Sequence, residues 1–176
     1  MLYIKCGNLG EIADEEDCSL NIVLARIDDR LIHGQVATIW SKHTKCQRIL
    51  VCNDGVKKDL IRKTLLEQVA PPGIKSNVVG IDEAIRAYFN PKHQDDRVLF
   101  LFTNPTDVLR MVEGGVAIKS VNIGGMSFKE GKQQITHVVS VDDTDIEAFK
   151  KLSEKGIELE IRKISSDSKI DLMSRL

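Results

Sequence analysis

Short apolar runs alternate with amphipathic stretches along the chain, and this alternation is regular from Asn21 onward. The runs are rich in Val, Ile and Leu and are bounded by polar or glycine-containing segments, which is typical of β-strands. RVLFLFT is apolar almost throughout, as in a strand buried on both faces of a sheet, whereas IELEIRKI alternates as an edge or antiparallel strand does. The predicted strands are residues 21–27, 48–53, 75–80, 97–103, 119–125, 135–141 and 157–164.

Five of the stretches between these runs predict helices, since their apolar residues recur every three or four positions. Pro71 ends the second helix. The fourth starts with Asn–Pro and closes with glycines, and the fifth has acids at its start and lysines at its end. One face of the first helix holds Val36, Ile39, Trp40 and His43. The predicted helices are residues 34–46, 56–70, 82–89, 104–115 and 142–156.

Strands that alternate with helices in this way predict an α/β fold with an open, mostly parallel sheet and helices on both faces. No internal repeat or low-complexity linker divides the chain, so we predict a single domain over residues 21–176. Residues 1–20 show no sustained period and contain an acidic cluster. We predict that they form an N-terminal extension, either poorly ordered or introduced by cloning.

The composition excludes some classes of function. A formal net charge of −1 argues against nucleic acid as a partner, because nucleic-acid binding needs a clustered excess of Lys and Arg. No apolar run is long enough to cross a bilayer and the first residues do not resemble a signal peptide, so we expect a cytoplasmic protein. The cysteines form no C-x-x-C pair and predict buried free thiols in a reducing compartment; they are Cys6, Cys18, Cys46 and Cys52.

The loop in RIDDRLIHGQV carries the leading candidate chemistry. It follows the first strand, and ligands of open α/β sheets bind beyond the carboxyl ends of the strands. A neutral imidazole at His33 has one nitrogen free as a nucleophile, provided that Asp28 or Asp29 holds the other. Gly34 and the helix start behind it predict an anion site in an exposed loop, where the Arg30 guanidinium fits phosphoryl oxygens.

A purely structural interpretation explains the same loop. A histidine near a helix start is often a surface or capping residue, and Asp–Arg pairs at strand ends are often structural salt bridges. The other histidines favour no chemistry, since His43 lies on the apolar side of its helix, His93 in a polar loop and His137 within a strand. No histidine spacing fits a metal site. The glycine pair in VNIGGM predicts first a chain reversal, and it could also bring backbone N–H groups to the same edge of the sheet as the loop.

The segment RIDDRLIHGQVATIW resembles the phosphorylation-site signature of the IIB proteins of the mannose-type sugar phosphotransferase system. The resemblance runs from about Asn21 to the end and includes RKTLLEQVAPPG, FLFTNPTDVLRMVEGGV, SVNIGGMSF and DIEAFKKLSEKGIELEIRK. Because these segments occur in the same order as in the family, the resemblance is far more specific than the histidine loop alone.

The resemblance implies a two-step phosphoryl relay. A phosphorylated IIA protein gives its phosphoryl group to His33, through Nδ1 in this family, and the group then passes to a hexose that enters through the membrane subunits IIC and IID. Asp28, Arg30 and His33 match the family's site, and Gly34 and Gln35 complete its loop. The implied fold is a seven-stranded sheet with an antiparallel last strand, and no metal or organic cofactor is implied.

The partners follow from the same resemblance. Some relatives join IIA and IIB in one polypeptide, whereas this chain shows no IIA domain, so we expect a separate donor protein. The resemblance implies a cytoplasmic protein that associates peripherally with the permease, favours mannose as the hexose and leaves a homo-oligomer open.

Two other classes of function are open at the level of the residues. Histidine phosphatases have a nucleophilic histidine in an R-H-G motif, but here Ile32 precedes His33 and the arginine lies three residues earlier. A sugar-phosphate-binding regulator on the same fold would bind its ligand without covalent modification. A phosphoryl adduct that persists in water distinguishes the relay protein from both.

Overall fold

A seven-stranded sheet forms the centre of the protein in a computed structural model that describes residues 19–176. The strands of this part of the chain are β1 (Asn21–Asp28), β2 (Arg48–Cys52), β3 (Lys75–Val79), β4 (Arg97–Phe102), β5 (Ser120–Gly125), β6 (Gln133–Thr136), β7 (Val139–Val141), β8 (Glu158–Ile161) and β9 (Ile170–Asp171). The sheet order is β3–β2–β4–β1–β5–β8–β9. Strand β9 is antiparallel to β8, and all other neighbouring strands of this sheet are parallel. The predicted fold class is therefore confirmed.

Helices cover both faces of the sheet. Trp40 and Leu66 belong to the core cluster on one face, and Met111 and Phe149 to the cluster on the other. Strand β4 contributes alternate residues to the two clusters, as predicted for a strand buried on both faces. The helices α1 (Val36–Trp40, a π-helix, continuing as Ser41–Thr44), α2 (Asp54–Lys58) and α3 (Leu60–Gln68) lie on the first face, and α4 (Ile81–Tyr88), α5 (Pro105–Glu113) and α6 (Asp143–Glu154) on the second.

The strand order determines where a ligand can enter. The chain leaves the carboxyl end of β1 toward β2 on one side of the sheet, and it leaves β5 toward β8 on the other side. Neighbouring strands whose connections diverge in this way leave a crevice at their carboxyl ends. The loop that contains His33 begins at this crevice, as predicted.

The predicted helix at 56–70 is wrong in one respect, because the chain forms two helices there. Asp59 has an extended backbone (φ −81°, ψ 93°), and its side chain accepts a hydrogen bond from the amide nitrogen of Arg62 at 3.0 Å. Asn53 caps α2 in the same way through the amide nitrogen of Val56 at 2.8 Å. The capping preference of Asp and Asn prevails over the helical period.

The predicted strand at 135–141 is also wrong, since it is a separate hairpin of β6 and β7. The hydroxyl of Thr136 accepts hydrogen bonds from the amides of Val138 and Val139 at 3.3 and 3.1 Å and so closes the turn. His137 lies exposed in that turn instead of inside a strand.

The last predicted strand, at 157–164, is not at an edge, although it pairs antiparallel with one of its two neighbours. Its residues in β8 pair in parallel with β5, and the antiparallel edge strand is β9, which was not predicted. The alternation of IELEIRKI does not mark a solvent-facing side, because Glu160 is buried and forms a 2.7 Å salt bridge with Arg162.

The first helix ends earlier than predicted and turns its histidine outward. Val36 and Trp40 are buried as predicted, whereas His43 is exposed and only the edge of its ring faces Trp40. The π-helical turn holds more residues than an α-helical turn and so rotates the later positions. Lys45 then ends the helix in the left-handed conformation (φ 52°).

The start of the domain lies slightly earlier than predicted. Leu20 is buried in the core, and its amide nitrogen donates to the carbonyl oxygen of Tyr88 at 3.0 Å. The boundary predicted at residue 21 therefore omits a core residue. The rest of the predicted extension, residues 1–18, lies outside the described residues. Between residues 19 and 176 no helix combines the length and apolarity that a bilayer span requires.

We expect a chain that lacks residues 1–18 to unfold at the same temperature as the full chain, because the core begins at Leu20. Adding Leu20→Ala should then lower the free energy of unfolding by about 2 kcal/mol or more, the usual cost of truncating a buried leucine. Thermal and urea unfolding of the three proteins measure both effects. A large loss of stability on removing residues 1–18 alone would contradict this boundary.

Candidate functional site

The chain reverses sharply at the carboxyl end of β1. The amide nitrogen of Leu31 donates to the carbonyl oxygen of Asp28 at 2.9 Å, and Leu31 has a left-handed backbone (φ 60°). This conformation costs a non-glycine residue about 1–2 kcal/mol. It is held in place because the side chains of Leu31 and Ile32 are both buried in the core. Such strain is often found at functional sites, and here it brings His33 back toward Asp28.

The carboxylate of Asp28 is fully buried between two arginines. Its Oδ2 accepts a hydrogen bond from Nη2 of Arg26 at 2.8 Å. Arg30 binds the same carboxylate with two hydrogen bonds of 3.0 Å, from Nε to Oδ1 and from Nη2 to Oδ2. This bidentate pair raises the pKa of Arg30. Since the Arg30 side chain is still 45% exposed, its remaining N–H groups are open to a ligand.

Arg26 holds the carboxylate of Asp28 from the interior of the protein, and it was not predicted as a site residue. It is fully buried, which lowers its pKa, and the carboxylate of Asp28 partly offsets this effect. Its guanidinium also donates to the side-chain oxygen of Asn122 and to the carbonyl oxygens of Arg162 and Lys163. The sequence does contain a signal for Arg26. It lies two residues before Asp28 on the same strand, and residues two apart on a strand point to the same face.

The chain reversal predicted at the glycine pair is wrong, because both glycines belong to β5. They lie at its carboxyl end, and Gly124 makes room for Arg26. A Cβ atom at Gly124 would lie 1.7 Å from Nη2 of Arg26, so the guanidinium can rest against β5 only where the strand has no side chain. Gly125 is opposite Asp28 in the sheet, and its carbonyl oxygen accepts a hydrogen bond from the amide N–H of Asp29 at 3.1 Å.

Asp29 is not the partner of the histidine. Its carboxylate accepts hydrogen bonds from the amide and the hydroxyl of Ser127 at 2.8 and 3.2 Å. Asp29 therefore ties the loop after β1 to the loop after β5. Of the two acids left open by the sequence, Asp28 is the one beside His33.

His33 is held by a backbone oxygen instead of a carboxylate. Its Nδ1 lies 2.9 Å from the carbonyl oxygen of Leu31, whereas its Nε2 is 3.9 Å from Oδ2 of Asp28, beyond hydrogen-bond distance. A carbonyl oxygen can only accept, so Nδ1 carries the proton in the neutral ring. Nε2 is buried and has no hydrogen-bond partner among residues 19–176. The expectation of an exposed position was wrong, because the side chain is only 21% exposed.

Gly34 and Gln35 follow His33 where α1 begins. In the described part of the chain, no atom lies within 4 Å of where a Cβ at Gly34 would be. The side-chain oxygen of Gln35, like Nε2 of His33, is buried and has no hydrogen-bond partner within residues 19–176. The loop thus has two polar atoms whose hydrogen-bonding capacity is unused.

A cavity of about 520 Å³ opens beside Arg30 at the carboxyl ends of β1, β2, β4 and β5. His33, Gly34 and Gln35 do not line it, so the cavity is next to the histidine loop instead of containing it. Arg62, which sequence reasoning missed, reaches across from α3 to within 3.4 Å of the carbonyl oxygen of Asp29. The charged residues that line the cavity are Asp29, Arg30, Asp59, Arg62, Lys129 and Lys132.

Other candidate residues do not form a second site in the part of the chain described. Cys46 and Cys52 are free and buried as predicted, and burial raises the pKa of both thiols, which disfavours the reactive thiolate. Cys6 and Cys18 lie outside that part. Within residues 19–176, no three His, Cys, Asp or Glu side chains cluster in a way that could hold a metal ion.

Known proteins resemble this chain over nearly all of the described region. The sequence model of the family described as "PTS system sorbose subfamily IIB component" matches residues 22–176. The sorbose-specific EIIB component of Klebsiella pneumoniae is 52% identical over 89% of this chain and 96% of its own length. The crystal structure of the IIBSor domain of the sorbose permease from Klebsiella pneumoniae superimposes with a TM-score of 0.87 over 89% of this chain and 96% of that one.

A longer relative is more similar in sequence than the sorbose-specific protein. The mannose-specific EIIAB component of Escherichia coli K12 is 62% identical over 152 residues, which are 86% of this chain but 47% of that protein. The chain therefore spans about half the length of this mannose-specific relative.

We expect the neutral ring of His33 to carry its proton on Nδ1, because the carbonyl oxygen of Leu31 accepts a hydrogen bond there. Long-range ¹H–¹⁵N correlation spectra at about pH 8, well above the usual histidine pKa of about 6.5, identify the protonated nitrogen. Exposed His43 is the internal control and should show the Nε2–H form that predominates in free histidine. The same form at His33 would contradict the hydrogen bond to Leu31.

Proposed function

Because this chain belongs to the sorbose subfamily of the phosphotransferase-system IIB components, we propose that it relays a phosphoryl group from a phosphorylated IIA protein to a hexose through His33. One observation carries the assignment of the site. The buried carboxylate of Asp28 fixes the guanidinium of Arg30, whose side chain is 45% exposed, in the same turn that holds a part-buried imidazole with one nitrogen that has no partner in the described residues.

The first step is a transfer between two histidines. A lone pair of the His33 imidazole attacks the phosphorus, a new N–P bond forms, and the donor's N–P bond breaks with its electron pair returning to the donor nitrogen. The transition state is loose, and negative charge spreads over the three equatorial oxygens. The outward N–H groups of Arg30 stabilise this charge, and its bidentate pair with Asp28 keeps the guanidinium oriented before the donor arrives.

Transfer to Nδ1, the atom that the family resemblance implies, requires a change at the ring. The hydrogen bond to the carbonyl oxygen of Leu31 must open, and the proton must move from Nδ1 to Nε2. Nε2 then faces Oδ2 of Asp28, which is 3.9 Å away, so a small movement of the ring forms a hydrogen bond. In this role Asp28 fixes the tautomer of the phosphorylated imidazole, as the aspartate of a catalytic triad does.

The second step gives the phosphoryl group to a hexose presented by the membrane subunits IIC and IID, with which the protein associates peripherally in the cytoplasm. Mannose is the favoured hexose, because the mannose-specific relative is 62% identical to this chain and the sorbose-specific one 52%. The donor is a phosphorylated IIA protein. Residues from Leu20 to the C-terminus form the IIB domain, with Gly34 and Gln35 completing the phosphoryl loop.

The two alternative functions find no support. The family and the relatives named above are all phosphotransferase-system components, and none is a histidine phosphatase or a sugar-phosphate-binding regulator. Ile32 occupies the place of the arginine in the phosphatase R-H-G motif, and its side chain packs in the core.

We expect His33→Ala to fold and to accept no phosphoryl group. Incubation with a phosphoenolpyruvate-driven carrier chain, followed by intact-mass measurement, detects the acid-labile adduct. Losing the hydrogen bond to Leu31 should cost about 1 kcal/mol of stability. His43→Ala is the matched control and should keep the adduct, because His43 is exposed and away from the loop. An adduct on the His33→Ala protein would refute the assignment.

We expect Arg30→Lys to slow phosphorylation of His33 by about 10²-fold or more, since an ammonium cannot reproduce the fixed fork of the guanidinium. Arg30→Ala should be slower still. Single-turnover phosphorylation and thermal unfolding are measured on the same preparations.

Arg48→Lys is the control for the loss of an Arg–Asp pair as such. Arg48 binds Asp96 through Nε and Nη2 at 3.0 and 2.9 Å, at the amino end of β2 and away from the site. It should keep the parental rate. A parental rate for Arg30→Lys, or equal rate losses in both variants, would disprove the clamp.

A further inference from the structure

Helix α3 exposes aliphatic side chains where a surface helix normally exposes polar ones. Its buried residue is Leu66. Leu60 is 74% exposed, Ile61 77%, Leu65 57% and, just beyond the helix, Val69 50%. Ile61, Leu65 and Val69 are spaced by four and so follow one side of the helix. We call the four exposed residues Leu60, Ile61, Leu65 and Val69 the α3 patch. Contiguous exposed apolar side chains of this kind mark an interaction surface.

The α3 patch is continuous with the phosphoryl site. Asp59 and Arg62, at the first turn of α3, line the cavity beside Arg30. Nη2 of Arg62 also lies 3.4 Å from the carbonyl oxygen of Asp29 in the phosphoryl loop. A protein that binds the patch therefore lies beside the residues that line the cavity.

A second exposed apolar side chain lies in the loop after β5. Phe128 is 67% exposed and is next in the chain to Ser127 and Lys129, both of which line the cavity. Exposed apolar residues are thus adjacent to cavity-lining residues both on α3 and in the loop after β5. An apolar surface around a polar centre is the arrangement that a protein partner with a reactive group needs.

Charge distinguishes the two partners that must reach His33. Four basic residues line the cavity and two acidic ones. Arg30 is paired with Asp28, and Lys132 with Asp142 and Asp145, whereas Arg62 and Lys129 form no salt bridge within residues 19–176. A phosphorylated donor brings an anion to this cavity, whereas the sugar that accepts the phosphoryl group is neutral. Complementary charge guides an encounter and sets its orientation. The cavity therefore matches the phosphorylated donor.

We infer that the α3 patch and Phe128 form the docking surface for the phosphorylated IIA protein. This inference rests on the proposed function of His33. The aliphatic side chains supply the binding contacts, and the basic cavity receives the segment of the donor that carries the phosphohistidine. Arg62 connects the α3 patch with the basic cavity, since it belongs to α3 and lines the cavity.

The test compares two phosphoryl donors on the double variant Ile61→Ser, Leu65→Ser. One donor is phosphorylated IIA protein, and the other is phosphoramidate, which is too small to need a docking surface. With IIA we expect KM to rise about tenfold or more with little change in kcat, as when central apolar contacts of an interface are lost. With phosphoramidate the rate should equal that of the parent.

Phe89→Ser is the matched control. Phe89 is 50% exposed but follows α4 near the amino end of β1, because the carbonyl oxygen of the neighbouring Tyr88 accepts a hydrogen bond from the amide of Leu20. It should leave both donor reactions unchanged. All variants should unfold at the parental temperature, because the replaced side chains are at least half exposed.

The outcomes separate this inference from the proposed function. An unchanged KM for IIA in the double variant overturns the docking surface while leaving the relay intact. The docking surface is also overturned if only sugar phosphorylation by permease membranes is impaired, or if the double variant only weakens self-association. A parent protein that neither donor phosphorylates overturns the relay itself, and the docking surface with it.

Discussion

The buried carboxylate of Asp28 is the interaction on which the site depends. It is fully enclosed at the end of β1, where water cannot stabilise its charge, and two arginines compensate for this loss. Removing one partner of such a buried pair typically costs about 3–5 kcal/mol, because the other charge stays buried and unpaired. The same carboxylate orients Arg30 and lies beside His33, so stability and the proposed chemistry share one group.

The support for this carboxylate extends across the sheet. Gly124 of β5 leaves the space that Arg26 fills, and Arg26 in turn holds Asp28 on the neighbouring strand. Trp40 adds a second layer, because the guanidinium of Arg26 lies 5.1 Å from the centre of its ring, within the range of a cation–π contact. The tryptophan packs in the core as predicted, and it also contacts the group that supports the phosphoryl loop.

Local patterns were sufficient for the features that depend on neighbouring residues in the chain. The apolar run of β4, the Asn104–Pro105 helix start and the position of the His33 loop were all predicted. The break at Asp59 was missed because capping and helical period compete there, and the sequence does not show which prevails. The hydrogen bond from His33 to Leu31 depends on a left-handed leucine, which only core packing maintains. The contact between Gly124 and Arg26 joins two strands distant in sequence, so no local pattern could reveal it.

The geometry places a limit on how tightly any partner should bind. His33 is only 21% exposed and lies beyond the carboxyl end of the central strand β1. In the relay that we propose, the IIA donor and the permease must both reach this one histidine, so they have to bind in turn instead of together. A donor that dissociated slowly would block the second step.

Small interfaces with few apolar anchors give the weak, rapidly exchanging complexes that alternation requires. The few aliphatic side chains of the α3 patch, beside a basic cavity that favours the donor while it carries the phosphoryl group, meet this requirement. Loss of that group from the donor removes the charge attraction, and release follows from the transfer itself.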